Sequence, residues 1–311
     1  MNVKYIFFGS SEFSRIILER LIINNIFPEL VITQPDRPKK RGLKILPTEL
    51  AIFAEKNNLS ILKPNSLKKE DFLKKIKELD VDFFIVVDYG KILSKELLSI
   101  PKRMSIGIHP SLLPKYRGPA PINWVLINGE KETGTTVFRM NEFLDSGDII
   151  LQKKIDIKDT DDFFSLYNIL ALESADLLIE SLKLITKGKE SFIKQDEREA
   201  TFMPKLKKED GRINWNKTAL EIFNLVRGVV NWPTAFTYYK NKFIKILKVE
   251  LTDLVSEDIP STIVKIDKSG IYVATSDKLL KILKLKPEGK KDMDAYSFTL
   301  GHNINIKDRF E

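Results

Sequence analysis

The stretch Gly107-Ile108-His109-Pro110-Ser111-Leu112-Leu113-Pro114, continued by Lys115-Tyr116-Arg117-Gly118, decides how the chain is read. Met104 to Ile108 is an apolar run with the character of a buried strand. It delivers one histidine and breaks at once on Pro110 and Pro114. Open α/β sheets place their chemistry beyond the C-terminal ends of the strands. His109 therefore stands where a reactive imidazole is useful. The chain holds one other histidine, His302. A lone histidine is more often a satisfied core side chain, and what shifts the balance is a second stretch. Phe143-Leu144-Asp145-Ser146-Gly147-Asp148-Ile149-Ile150 is an acidic turn hemmed by apolar residues, able to bring a carboxylate to that imidazole.

Working outward toward the N-terminus, Val81 to Val87 is a continuous apolar run, the pattern of a parallel strand buried on both faces. It ends in Asp88-Tyr89-Gly90. Val3 to Phe8 repeats the pattern, and Leu30 to Thr33 and Ser60 to Leu62 give shorter strands. Between them, the spacing predicts helices after Gly9-Ser10-Ser11, over Thr48–Asn57 and over Leu67–Leu79. Gly9-Ser10-Ser11 is not the glycine fingerprint of a dinucleotide site. Downstream come a helix over Ala120–Asn128, a strand over Thr135–Met140 and a long helix over Thr160–Lys187. Strands alternating with helices predict an α/β domain with a mainly parallel, Rossmann-like sheet over residues 1–188.

Residues 189–208 are polar with little periodicity and read as a linker. Over 209–311 a helix at Leu220–Val229 precedes five short strands: Ala235–Tyr239, Phe243–Val249, Ser261–Ile266, Ile271–Thr275 and Leu279–Lys284. That pattern predicts a small OB-like β-barrel.

The bulk numbers narrow the class. At 311 residues the chain suits two domains or one large one, and with 43% hydrophobic and 30% charged residues it can bury a real core. No apolar run approaches the roughly 18 residues of a membrane span. The first nine residues are too short for a signal segment, so a cytoplasmic protein is expected. The absence of cysteine removes disulfides, thiolate metal sites and cysteine nucleophiles, and two distant histidines make a zinc site a poor expectation. A net charge of +8 suits a polyanionic partner, although lysine-rich composition alone is a weak sign of one.

One segment resists a regular element. Gln34-Pro35-Asp36-Arg37-Pro38-Lys39-Lys40-Arg41-Gly42-Leu43-Lys44-Ile45-Leu46-Pro47 carries three prolines, one glycine and five basic residues. It reads as a flexible cationic finger.

Together, IHPSLLP, YRGPAPINW and LDSGDII resemble the folate-dependent formyltransferase family, over nearly the whole chain from Val3 to Arg309. The resemblance implies transfer of a formyl group from 10-formyltetrahydrofolate to an amine. It implies that His109 and Asp145 are catalytic, with Asp145 orienting the His109 imidazole. It also implies that Ser111, Leu112, Leu113 and Pro114, with the Asp88-Tyr89-Gly90 turn, line the folate site. Ser146-Gly147-Asp148 resembles a folate-binding loop. TQPDRPKKRG resembles the loop by which the methionyl-tRNA branch touches the tRNA acceptor end. It makes Arg41, Arg37, Lys39, Lys40 and Lys44 the expected tRNA contacts. Asn231-Trp232-Pro233 and Lys286-Pro287-Glu288-Gly289-Lys290-Lys291 are similar to the same branch, whose C-terminal domain helps hold tRNA, with Lys205, Lys207, Lys208 and the lysines along the barrel strands as candidate phosphate contacts. Methionyl initiator tRNA is thus the expected partner and a monomer the expected state. A sugar-nucleotide N-formyltransferase and a catalytically impaired tRNA- or folate-binding homologue are the alternatives.

The impaired alternative arises from Gly107. The family motif has a catalytic Asn there, which donates an N–H to the oxyanion. Losing such a donor costs about 10²–10³ in rate. Asn123 and Asn141 are substitute donors by residue type. A slowed enzyme is expected, with Gly107→Asn raising turnover at least tenfold.

Overall fold

The computed structural model describes residues 3–39 and 44–311. The chain divides into two compact units. The first holds residues up to 118, 132–156 and 167–202, and the second 119–131, 157–166 and 203–311.

The first unit is built on a seven-stranded sheet. In chain order its strands are β1 (Tyr5–Gly9), β2 (Leu30–Ile32), then β5 (Ile61–Leu62), β6 (Phe83–Val87), β7 (Met104–His109), β8 (Glu132–Arg139) and β9 (Ile149–Asp156). Their spatial order is β5-β2-β1-β6-β7-β8-β9. The five strands from β5 to β7 run parallel, β8 runs antiparallel to β7, and β9 antiparallel to β8. Every residue of β1 and β6 is buried, as their unbroken apolar runs require. Helix α1 (Glu12–Ile23) starts where Ser11 caps Ser14, and α2 (Glu49–Lys56) where Thr48 caps Ala51. Burial of Phe13, Ile17, Leu18 and Leu21 fixes the face that α1 turns inward. Helices α3 (Glu70–Glu78) and α4 (Lys95–Leu98) follow. α6 (Phe163–Thr186) runs from the second unit into the first.

Two expectations need correction. The proline-rich finger is not without regular structure: β3 (Arg37–Lys39) and β4 (Lys44–Leu46) form a two-stranded antiparallel ladder. Pro38 is tolerated because a two-stranded ribbon has only edges, where a missing N–H can face away from the ladder. Lys40 and Arg41 lie outside the described residues, and the side chains of Lys39 and Lys44 are not described either. The second correction concerns the polar stretch after residue 188, which is hydrogen-bonded into the first unit as far as Phe202. Ile193 pairs with Ile149, Arg117 pairs with Phe202, and Gln195 is buried. The linker reading fails there because hydrogen bonds, not apolar periodicity, hold this segment.

The second unit contains α5 (Pro121–Ile127), α7 (Ala219–Gly228), α8 (Ala295–His302) and an antiparallel sheet. The sheet strands are β10 (Phe236–Tyr239), β11 (Lys242–Leu251), β12 (Ile263–Asp267), β13 (Gly270–Ala274), β14 (Leu279–Pro287) and β15 (Met293–Asp294). They are ordered β10-β11-β14-β13-β12, with β15 on β14. The two outer strands meet a common strap, residues 307–311. Its Glu311 exchanges backbone hydrogen bonds with Tyr238, Asp308 O accepts from Ile263 N–H, and Phe310 N–H donates to Ser261 O.

Candidate active site

β1 has β2 on one side and β6 on the other, so the chain order reverses between β1 and β6. Ligands of open α/β sheets bind at such a point. A cavity of about 260 Å³ opens there, lined by Ser10, Ser11, Gln34, Arg37, Asp88 and Gly90 among others. The sequence had placed Asp88-Tyr89-Gly90 at a ligand edge, and that turn lines the cavity. Asp88 and Gly90 both take left-handed backbone, φ 45° and 75°. The Tyr89 side chain turns away into the core, its ring edge-on to Phe8. Its hydroxyl is buried without a partner, and burial pushes it up to about 12. What Tyr89 offers is its carbonyl, which accepts from Gln34 Nε2 at 2.6 Å and Ser10 Oγ at 3.3 Å.

His109 ends β7 and is 6% exposed. Its Nε2 lies 2.8 Å from the carbonyl of Tyr116. A carbonyl can only accept, so this nitrogen carries a proton. The other nitrogen, Nδ1, faces Asp145 Oδ2 at 3.6 Å, an ion-pair separation rather than a hydrogen bond. The expectation was that Asp145 orients the imidazole. In the structure the Tyr116 carbonyl makes that hydrogen bond, and Asp145 is itself held by the Gly118 N–H, 2.8 Å from Oδ2.

The IHPSLLP segment is pinned from below by β8. Thr136 Oγ1 donates to Ser111 O and accepts from Leu113 N–H. Gln152 Nε2 donates to Leu113 O. Ser111 Oγ is spent on Lys115 O, so Ser111 positions the turn rather than offering its hydroxyl outward. Leu113 is buried against Phe138 and Ile149, while Leu112 and Pro114 are half-buried.

Asp145 adopts left-handed backbone, φ 49°, which a non-glycine residue holds only when its surroundings impose it. The loop after it fits against β8 so closely that a Cβ on Gly147 would stand 1.7 Å from Arg139 O. What imposes the conformation was not visible in the sequence. Gln195 is buried, and its Nε2 donates to the carbonyls of Asp145 (2.9 Å) and Gly147 (2.7 Å). Its Oε1 in turn accepts from Nε and Nη2 of Arg117. Arg117, 1% exposed, also bonds both oxygens of Glu197 and lies over the Phe202 ring. The guanidinium holds the Glu197 carboxyl below its ordinary range. Arg117 stood in the quoted motif without a role, and Gln195 sits in a charged stretch with no pattern to mark it.

Gly107 faces Phe138 across the β7–β8 ladder. A Cβ there would lie 2.4 Å from Phe138 Cζ and 3.0 Å from Met140 Cγ. Residues two apart on a strand share a face, so the Phe138 ring fills the space beside His109 where a residue-107 side chain would project. Of the two proposed substitute donors, Asn123 has its donor engaged elsewhere. The amide nitrogen of Asn123 is spent on Gly228 O and Asn231 Oδ1 within the second unit. Asn141 uses its Oδ1 to brace the loop at Phe143 and Ser146.

Comparison with known proteins gives the family. The pattern described as "Formyl transferase" matches residues 1–182, and "Formyl transferase, C-terminal domain" matches residues 205–303. The chain is 46% identical over 305 residues to the methionyl-tRNA formyltransferase of Thermodesulfovibrio yellowstonii, covering 98% of each chain. The chain belongs to the methionyl-tRNA formyltransferase family. A further family member, from Clostridium acetobutylicum, is 42% identical over 97% of this chain and 98% of its own. Among solved structures, HypX from Aquifex aeolicus in complex with tetrahydrofolic acid is similar with TM-score 0.64 and 15% identity, over 99% of this chain and 49% of that one. An N-formyltransferase from Helicobacter canadensis, solved with folinic acid and dTDP-3-aminofucose, gives TM-score 0.67 and 21% identity over 91% and 98%. At these identities the structures establish the fold of the methionyl-tRNA formyltransferase family member described here. Its substrate is argued from the sequence relatives. Among the described residues no helix is long and apolar enough to cross a membrane. No group of three or more metal-ligating side chains occurs among them.

Proposed function

We propose that the chain transfers the formyl group of 10-formyltetrahydrofolate to the α-amine of methionyl initiator tRNA. One observation carries this reading: the relation to methionyl-tRNA formyltransferases runs the full length of both chains, at 46% identity over 98% of each. The sugar N-formyltransferase likeness is to the fold alone.

The transfer passes through a tetrahedral centre with charge on oxygen. Three tasks follow: stabilise the oxyanion, take a proton from the amine, and protonate the departing folate nitrogen. With Nε2–H held by the Tyr116 carbonyl, His109 donates to the oxyanion through Nδ1 when that nitrogen carries a proton. Asp145, beside Nδ1, favours the positive charge the ring acquires as it relays the proton. Its carboxylate is aimed before substrate arrives, because Gln195 and Gly118 fix the loop, and preorganisation of this kind is where most of the rate comes from. The turn Ser111-Leu112-Leu113-Pro114 and the backbone of Asp88-Tyr89-Gly90 contact the folate. Arg37, with Lys39, Lys40, Arg41 and Lys44 of the β3–β4 finger, contacts the tRNA acceptor end. The enzyme acts as a monomer in the cytoplasm.

A single-turnover assay with excess enzyme, 10-formyltetrahydrofolate and charged initiator methionyl-tRNA tests this. Formyl-methionyl product is expected, with none from uncharged tRNA or an amino-sugar nucleotide. His109→Ala and Asp145→Asn should each slow the chemical step by about 10²–10³. A wild-type chain that binds tRNA yet forms no product at any enzyme concentration would make it a binding homologue.

A further inference from the structure

Arg117 takes no part in the proton traffic, yet it is a charged side chain only 1% exposed. Burying a guanidinium is costly unless its donors are met. Here they are met on two sides. Nε and Nη2 donate to Gln195 Oε1 at 3.1 and 2.8 Å, and Nη1 and Nη2 donate to the two Glu197 oxygens at 2.9 and 2.8 Å.

The consequence lies in Gln195. A guanidinium can only donate, and a backbone carbonyl can only accept. An amide set between them has one permitted orientation, with Oε1 toward Arg117 and Nε2 toward the carbonyls of Asp145 and Gly147. Without the guanidinium nothing selects that orientation, and the flipped amide turns its oxygen on two carbonyls.

The neighbours of Arg117 hold the same two catalytic side chains. Tyr116 O accepts from His109 Nε2, and Gly118 N–H donates to Asp145 Oδ2. Tyr116 takes left-handed backbone, φ 61°, which persists only where the surroundings fix it. Thr201 does so: its Oγ1 accepts from Tyr116 N–H and its carbonyl from Arg117 N–H, each at 2.8 Å.

We infer that Arg117 is a positioning residue for the transfer step. By selecting the Gln195 amide it fixes the Asp145 loop, while the turn it belongs to fixes the His109 ring. One tripeptide, Tyr116-Arg117-Gly118, thus sets the imidazole 3.6 Å from the carboxylate. A misplacement of about 1 Å at such a centre costs about 10²-fold in rate.

Two variants test this from opposite ends. Arg117→Lys keeps a charge for Glu197 but lacks the fork that meets Gln195 twice. Gln195→Glu keeps an acceptor for Arg117 and removes the donors to Asp145 and Gly147. In both, kcat per folded molecule is expected to fall about 10–100-fold, with KM for both substrates unaltered. An arginine that only held the fold would lower the melting temperature of Arg117→Lys and leave both kcat values at the wild-type level. A second readout needs no turnover. The chain has two histidines, so in spectra of isotope-labelled histidine His302 serves as the reference for His109. The His109 ring resonances should move in both variants while those of His302 stay. Unmoved His109 resonances, or wild-type kcat in both variants, would overturn the inference. What kcat measures rests on the formyl transfer proposed above, whereas the ring resonances do not. A wild-type chain that forms no product would sink that reading and leave the His109 spectra to decide the role of Arg117.

Discussion

A side chain on Gly107 would meet the Phe138 ring well inside van der Waals contact, and this changes what the glycine means. Its position in the motif made it look like a lost donor that grafting could restore. The ring instead makes residues 107 and 138 a reciprocal pair, one emptied because the other is full. Gly107→Asn alone should therefore not raise turnover. It should destabilise the chain by about 1–3 kcal/mol through overpacking, read from urea unfolding. Phe138→Ala alone should cost about 3–5 kcal/mol by leaving a cavity. The two changes together should be less damaging than their sum, the signature of coupled neighbours. The tenfold gain expected of the asparagine belongs to that double variant. Gly107, His109 and Asp145 were all legible as residues. The hidden part was which residue faces Gly107, because strand register between β7 and β8 leaves no mark in either segment alone.

Long apolar elements were readable for the reason they exist: β1, β6 and β7 are buried runs, and α7 has an amphipathic face behind a recognisable cap. Short elements held by hydrogen bonds were not. The β3–β4 ribbon lies among prolines, and the segment around Gln195 lies among charges, so neither leaves a hydrophobic period. Gln195→Ala should strand the carbonyls of Asp145 and Gly147, at a cost of about 1–3 kcal/mol. It should lower kcat for formyl transfer more than it raises KM for folate. The cap of α7 offers a test by pH. Glu221 accepts hydrogen bonds from the Thr218 backbone and side chain and from Lys217, which holds its carboxyl down to about 2. The folded value lies below that of the unfolded chain. The cap's contribution is thus complete above the ordinary glutamate range and is lost as pH falls toward 2. Wild-type melting temperature should fall more steeply than that of Glu221→Gln as pH drops from about 5 toward 2. Parallel curves would remove the cap from the acid response.

At the scale of the molecule, both architectures followed from pattern: strand–helix alternation for the mainly parallel sheet, closely spaced short strands for the antiparallel one. The hydrogen-bonded fastening of residues 189–202 and the strap joining β10 to β12 did not, since both depend on partners remote in sequence. That strap is anchored by Phe310, which is 2% exposed and stacks on Trp215 with ring centres 5.6 Å apart. Phe310→Ala should lower stability by about 3–5 kcal/mol and bare two strand edges that invite aggregation, visible as turbidity below the melting point. The segment around Gln195 carries a different consequence. It is fastened to the sheet by a few backbone bonds at Ile193 and by one buried side-chain network, without an apolar helix or a long ladder of its own. Such segments open by local fluctuation long before a domain melts. Each opening would release Asp145 from its imposed conformation. On warming, the capacity for formyl transfer should thus disappear reversibly while the core amides of β1 and β6 stay protected from hydrogen exchange, so that thermal inactivation reports this fastening rather than the stability of the fold.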